Sequence, residues 1–315
     1  MPEAAGAGAP ARHAGMLGIS APWLIVAASF LFASMGVCVK LASAHYDAGE
    51  IVFYRSLVGL VMMVGVARWK GGRLATRLPV MHATRSLSGV ISLCLWFYAL
   101  GALPLATAMT LNYMSSVWMA LFLLGGAVML GSSRIDPRLV ATALLGFAGV
   151  ALILRPTIEQ EQLWHGLAGL LSGMVAATAY LQVTALGRAG EPEYRTIFYF
   201  SLGGVLVGGA LMLWSGASPH TGEGVALLLG VGLLATVAQL MMTRAYATAS
   251  PLVNGSLQYL GIAFSFGYGV LLFGDRVTPM ALAGMGLIVV AGLCATALRS
   301  HAGPADIAKS PPETA

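Results

Sequence analysis

Between residues 22 and 298 the sequence repeats one pattern, an apolar run of about 20 residues followed by a short polar break. Ten runs lie near 22–41, 50–67, 84–101, 105–129, 138–155, 165–186, 196–214, 223–243, 251–273 and 280–298. Each is about long enough to cross a bilayer as an α-helix, which satisfies its own backbone hydrogen bonds in hydrocarbon. Only 9% of the 315 residues are charged and 58% are hydrophobic, with a mean hydropathy of +0.82. A soluble domain carries roughly 25% charged residues, and so few charges cannot clothe a surface that faces water. The sequence therefore predicts an all-α polytopic membrane protein of ten transmembrane helices.

The breaks between runs are informative in their own right. GALP before Leu105 and ATASP before Leu252 are too short for anything but antiparallel neighbours, and each proline falls near the first turn of the next helix. The net charge of +5 lies in short loops rather than in a basic patch, so no nucleic-acid partner is expected. With the N-terminus inside, thirteen Lys and Arg fall on cytoplasmic segments and two, Arg155 and Arg276, on outer loops. The thirteen include Arg68, Arg73, Arg77, Arg85, Arg188 and Arg195. That asymmetry predicts an inner-membrane protein with both termini cytoplasmic. Residues 1–20, rich in Ala, Gly and Pro, and the polar tail 300–315 are expected to be disordered, and no cleaved signal is expected. Cys38, Cys94 and Cys294 all sit in apolar runs without metal-ligand spacing, so neither a disulfide nor a metal is implied.

An internal repeat organises the rest. Moving the second half back by 146 positions sets Gln258 on Asn112, Tyr259 on Tyr113 and Ala245 on Ala99, and brings Pro251 within one position of Pro104. Two halves of five spans each, an odd number, enter the membrane from opposite sides. Such inverted repeats recur in secondary transporters, with the binding site near the midplane between the halves. The polar residues of LNY (111–113) and LQY (257–259) therefore fall at matching depths in spans 4 and 9. Asn112 and Ser116 share one helix face, and Asn254, Gln258, Gly261 and Ser265 form a stripe on the other helix. These groups either bond one helix to another or line a cavity.

The stretches EIVFYRSLVGLVM, LWFYALGALPLATAMTLNYMSSVW and LFGDRVTPMALAGMGLIVVAGL resemble the EamA repeats of the drug/metabolite transporter superfamily. The resemblance covers 21–156 (helices 1–5) and 165–299 (helices 6–10). It implies a carrier with a central cavity and alternating access, moving amino acids, nucleotide-like metabolites, vitamins or drugs. Lys40 and Arg55 match basic positions common in that family. The GSSRID before Pro137 departs from its usual Gly-Glu-Arg-like turn, a structural feature. In the family fold the helices bearing Gln182 and Gln239 flank span 9, which adds both glutamines to the candidate cavity lining.

Lys40 and Arg55 are the two charges embedded in spans on this reading. Either both snorkel to the outer interface, with Glu50 beside Arg55, or Lys40 meets a substrate carboxylate at the outer mouth. Trp96, Tyr98, Tyr113, Trp118, Tyr180 and Tyr259 either wall a site or gather at the membrane interfaces. Met174, Met241 and Met242 read as packing. The expected substrate-binding set is Asn112, Tyr113, Ser116, Gln258, Tyr259, Asn254, Gln182, Gln239, Lys40 and Trp96. Such a cavity has no central charge and suits a neutral or zwitterionic metabolite, amino acid-like or a flat heterocycle. Export is expected, and uptake of a vitamin or nucleoside-like compound such as riboflavin or S-adenosylmethionine is the alternative.

None of the twelve acids or six histidines occupies the middle third of a span. Proton relays in membranes run through such groups, so facilitated diffusion, exchange or a proton carried with the substrate is expected. An intramembrane enzyme would need HExxH, paired aspartates or a diphosphate motif. None is present, and no cofactor is implied. GYG at 267–269 resembles a potassium filter but lacks the preceding Thr-Val and any pore helix. The glycine pairs of GLLSG (169–173) and GVLVG (204–208) permit close helix approach without indicating a dimer.

Overall fold

The computed structural model describes residues 20–129, 162–249, 251–275 and 278–301, together with 138, 141, 144–149 and 152. Half of the fifth span lies outside these residues, as do the expected disordered tails apart from Ser20, Ser300 and His301; the last two continue the final helix. The described residues form helices and no strand. In chain order they are α1 (Ala21–Ala42), α2 (Ala48–Trp69), α3 (Pro79–Ala102), α4 (Leu105–Tyr113), α5 (Ser115–Met129) and α6 (Leu163–Arg188). Then follow α7 (Glu193–Ser215), α8 (Gly222–Thr248), α9 (Pro251–Gln258), α10 (Leu260–Phe273) and α11 (Pro279–His301). Seven segments among them are long and apolar enough to cross a membrane, counting Leu105–Gly126 as one.

Proline sets many of the starts. Helices α1 and α3 carry it in their first two positions, α9 and α11 begin on it, and Pro104 and Pro192 precede α4 and α7. A proline at a helix start lacks only an N–H that would have no partner there anyway. Helix α8 is capped instead by Thr221, whose hydroxyl accepts from the Gly224 N–H at 3.1 Å.

Burial runs opposite to that of a soluble protein. Leu206, Leu213, Val61 and Leu271 lie exposed, while Glu50, Arg55, Arg85, Asn112, Asn254 and Gln258 are buried. Hydrocarbon outside and polar groups inside is the arrangement a bilayer demands.

The helix pairing has a two-fold pattern. The most extensive contacts are α2 on α7, α1 on α8 and α3 on α6. Exchanging the two five-span halves maps α1·α8 onto α6·α3 and returns α2·α7 to itself. Small residues let helices approach closely, as in α7 on α2 and α6 on α4. A Cβ on Gly208 would lie 2.6 Å from the Phe53 backbone N, and one on Gly173 would lie 2.7 Å from the Leu111 carbonyl oxygen. Both GxxxG pairs are therefore consumed inside the chain.

Spans 4 and 9 are each broken near the middle, which their apolar continuity does not announce. At Met114 the backbone N–H is shared between the Thr110 and Leu111 carbonyls at 3.2 and 3.3 Å, and the Met114 carbonyl takes the Val117 N–H at 3.0 Å. The Ile262 N–H bonds Tyr259 in the same three-residue way at 3.0 Å. Tightened turns of this kind mark strain or a hinge inside a helix. The breaks fall on LNY and LQY.

Candidate functional site

The breaks face a narrow cavity of about 60 Å³ at the centre of the bundle. Helix α3 supplies one wall through Arg85, Gly89, Ser92 and Trp96, spaced four, three and four so that they share a face. Helix α4 contributes Asn112 and Tyr113, α6 contributes Tyr180, α8 contributes Gln239 and Met242, and α9 ends at Gln258. Arg55 of α2, Phe200 of α7 and Phe32 of α1 complete the lining used below.

Asn112 is anchored on one side: its Nδ2 donates to Ser172 Oγ at 2.9 Å, and that hydroxyl donates onward to the Gly169 carbonyl at 2.6 Å. Gln258 lies beside the Tyr180 hydroxyl, and its buried Oε1 has no protein partner. Tyr180 in turn stacks on Tyr246 with ring centroids 5.1 Å apart. The two broken spans touch directly, with the Tyr113 hydroxyl against Gly261 and Ser116 Oγ against Gly255.

Of the sequence-derived candidates, Asn112, Tyr113, Gln239, Gln258 and Trp96 line the cavity. Ser116, Tyr259, Asn254, Gln182 and Lys40 do not. Asn254 is fully buried, Ser116 packs between the two broken spans, and Gln182 accepts a hydrogen bond from Ser88 at 2.9 Å. Tyr98 stacks on His165, and Trp118 meets Phe122 and Phe147, away from the lining. Met242, expected as packing, is on the wall.

Three placements correct the sequence reading. Arg55 does not snorkel outward beside Glu50. Five residues apart on a helix is about 140° of rotation, so the two side chains face different ways. Glu50 instead takes the Ser218 N–H at 3.2 Å and sits 3.4 Å from His220, while Arg55 turns inward to Gln239 Oε1 at 3.5 Å. Arg85, counted among the cytoplasmic charges, is 3% exposed on the cavity wall, six residues inside the helix that Pro79 starts. The proline was the signal: it begins α3 a full turn before the apolar run does. The cavity accordingly has a central charge, contrary to the expectation of a neutral lining.

Lys40 does different work at one end of the bundle. It donates to the Leu103 carbonyl at 2.9 Å and lies 4.0 Å from Asp275, whose other oxygen takes the Leu105 N–H at 3.3 Å. Gly274, at φ 62°, ends α10 in the left-handed conformation, and the next N–H, of Asp275, bonds Gly269. At the opposite end Gly190, at φ 79°, closes α6 and delivers Glu191 in the same manner. Glu191 accepts from Thr76 at 2.9 Å and Arg195 at 2.8 Å, and lies 3.2 Å from His82. Burial alone would raise the Glu191 carboxyl, but these hydrogen bonds and the Arg195 charge outweigh it and hold the carboxyl below its ordinary value. Each end of the bundle is thus tied by an acid presented from a glycine turn.

A helical bundle with an apolar exterior and a central cavity bearing buried polar side chains, set where two helices break, has the build of a multi-pass membrane transporter. Comparison with known proteins agrees. The model of the EamA-like transporter family matches residues 19–155. The pseudopaline exporter of Pseudomonas aeruginosa is 34% identical over 268 residues, covering 85% of this chain and 93% of that protein. A riboflavin transporter of Rhizobium johnstonii is 30% identical over 220 residues, covering 70% and 71%. A solved crystal structure superposes with a TM-score of 0.64 at 18% identity over 88% of this chain and 98% of the other, a likeness of fold. The chain belongs to the EamA-like transporter family of the drug/metabolite transporter superfamily, and is a multi-pass inner-membrane transporter rather than an enzyme.

Proposed function

We propose that this protein carries a small polar metabolite out across the inner membrane by alternating access around the central cavity. One observation supports this above the others: Asn112 and Gln258, related by the internal repeat, both meet the cavity at the breaks of their helices. Broken helices at a repeat interface are where carriers hold their cargo. Export is favoured by the near full-length likeness to a pseudopaline exporter. The second reading, uptake of a vitamin or nucleoside-like compound, draws on the likeness to a riboflavin transporter. Saturable counterflow in proteoliposomes tests the carrier reading. No acid or histidine lies at mid-depth, so downhill flux should persist when an uncoupler collapses the proton gradient. Complete loss of that flux would expose a proton site in the path.

The arrangement we propose is ten helices in two inverted five-helix repeats, 21–156 and 165–299, with both termini cytoplasmic. The two-fold pattern of helix pairing and the Lys/Arg split, twelve to two once Arg85 is placed in the cavity, support it. Reporter domains fused after Arg77 and after Pro219 should read cytoplasm and periplasm respectively. The same side for both would refute the topology.

A further inference from the structure

Two cations in one membrane cavity call for an account. Arg55 and Arg85 are 4% and 3% exposed, and among the described residues neither pairs with an acid. Both guanidiniums lie over one aromatic ring, that of Phe200, at 4.9 and 4.3 Å from its centroid. They are therefore closer to each other than the sum of those distances. Arg85 does not snorkel. A long side chain seeking water would run back toward Pro79, the near end of α3, whereas the Arg85 Nη1 lies over Gly89, one turn deeper. A Cβ on Gly89 would take the space of that nitrogen and come within 2.8 Å of Phe200. The bare backbone at residue 89 is what lets the guanidinium fold into the cavity.

The unsatisfied groups around the cavity are lopsided. Arg55 Nε, Arg85 Nε and Nη1, Trp96 Nε1 and Gln239 Nε2 are buried donors without a partner, against one such carbonyl, Gln258 Oε1, and the Tyr113 hydroxyl, which can serve as either. Gln239 is oriented by its Oε1, which faces Arg55, so its amide nitrogen is a donor by assignment of the network. The molecule that complements this wall is rich in acceptors and negatively charged. The contact with Phe200 offsets only part of the cost of holding a desolvated cation. One carboxylate would still leave the second guanidinium uncompensated.

We propose that Arg55 and Arg85, held about Phe200, are the binding site for an organic anion carrying at least two acidic groups. Each planar guanidinium fork suits a carboxylate bidentately. This names the cargo class of the carrier proposed above and rests on that reading.

The test uses the full-length purified protein and one carbon skeleton at three charges: succinate, succinamate and succinamide, at matched ionic strength. Thermal stabilisation is followed against concentration. Succinate should act at about a hundredfold lower concentration than succinamide, with succinamate between them, and Arg55→Gln or Arg85→Gln should each erase about tenfold of that advantage. Arg73→Gln, in the loop between α2 and α3, should leave it intact. If a Gln variant does not accumulate, Arg85→Lys keeps the charge, loses the fork and should lower the succinate preference. Equal action of the diacid and the diamide, no stabilisation by succinate, or a succinate preference that survives the arginine variants would overturn the proposal. Counterflow of a neutral solute without any succinate preference would overturn it while leaving the carrier standing. A succinate preference in a protein with no counterflow would do the reverse.

Discussion

Gly173→Val should lose most of its protein from the membrane, and what remains should neither transport nor melt cooperatively near the wild-type temperature. The reason lies in what Gly173 touches. A Cβ there would stand 2.7 Å from the Leu111 carbonyl oxygen and 2.8 Å from that of Asn112. Both obstacles are backbone, and they belong to the last turn of α4 before its break, so no side chain can rotate away. Overfilling a packed contact costs on the order of 1–3 kcal/mol where the surroundings can relax, and Val adds two further methyl groups to the clash. The displacement would also pull Asn112 from Ser172, to which it donates at 2.9 Å. Gly65 is the control. It is exposed on α2, and a Cβ there would meet nothing within 4 Å. Gly65→Ala should be neutral or gain up to about 1 kcal/mol of helix propensity. Expression and melting temperature measured side by side decide the matter. A Gly173→Val protein as stable as Gly65→Ala would show that α6 does not depend on that approach.

The bilayer made much of this fold legible in the sequence. A span must be about 20 apolar residues long, so hydropathy alone locates it. The internal repeat then made Asn112 and Gln258 visible, because a lone amide says little and two at matching positions say more. What stayed hidden depended on contacts between distant segments. No proline or glycine occupies position 114 or 259, so nothing in the local sequence announces the tightened turns that break spans 4 and 9. Arg55 and Arg85 misled for a related reason. An arginine within a few turns of a helix end looks like an interfacial residue, and only its three-dimensional neighbours decide which way it points. For Arg85 those neighbours are Gly89, four residues along its own helix, and Phe200, more than a hundred residues away. Lys40 shows the converse. It was a candidate ligand from sequence, yet the Leu103 carbonyl and Asp275 engage it at one end of the bundle.

Asn112→Leu and Gln258→Leu should each reduce transport by about 10- to 100-fold while leaving the protein folded in the membrane. A polar solute entering the cavity gives up water, at a cost of several kcal/mol if its polar groups find no partner. An amide both donates and accepts, so it can meet either kind of group, and leucine can meet neither. The two variants should differ in stability, which separates this account from one in which the amides merely hold helices together. Asn112 makes a real interhelical bond to Ser172, and such bonds average ~0.6 kcal/mol in membrane proteins. Losing it should lower the melting temperature slightly, because Ser172 keeps its bond to Gly169. Gln258 carries a buried Oε1 with no protein partner. Removing an unsatisfied acceptor spares its desolvation cost and offsets the loss of the amide's hydrogen bond to Tyr180, so Gln258→Leu should melt near the wild-type temperature even as transport falls. An amide that only glued helices together would show the opposite: reduced stability with normal affinity. Substrate affinity and melting temperature on the two purified variants therefore give four readings. Wild-type affinity in both would remove LNY and LQY from the binding site, whatever happened to their stability.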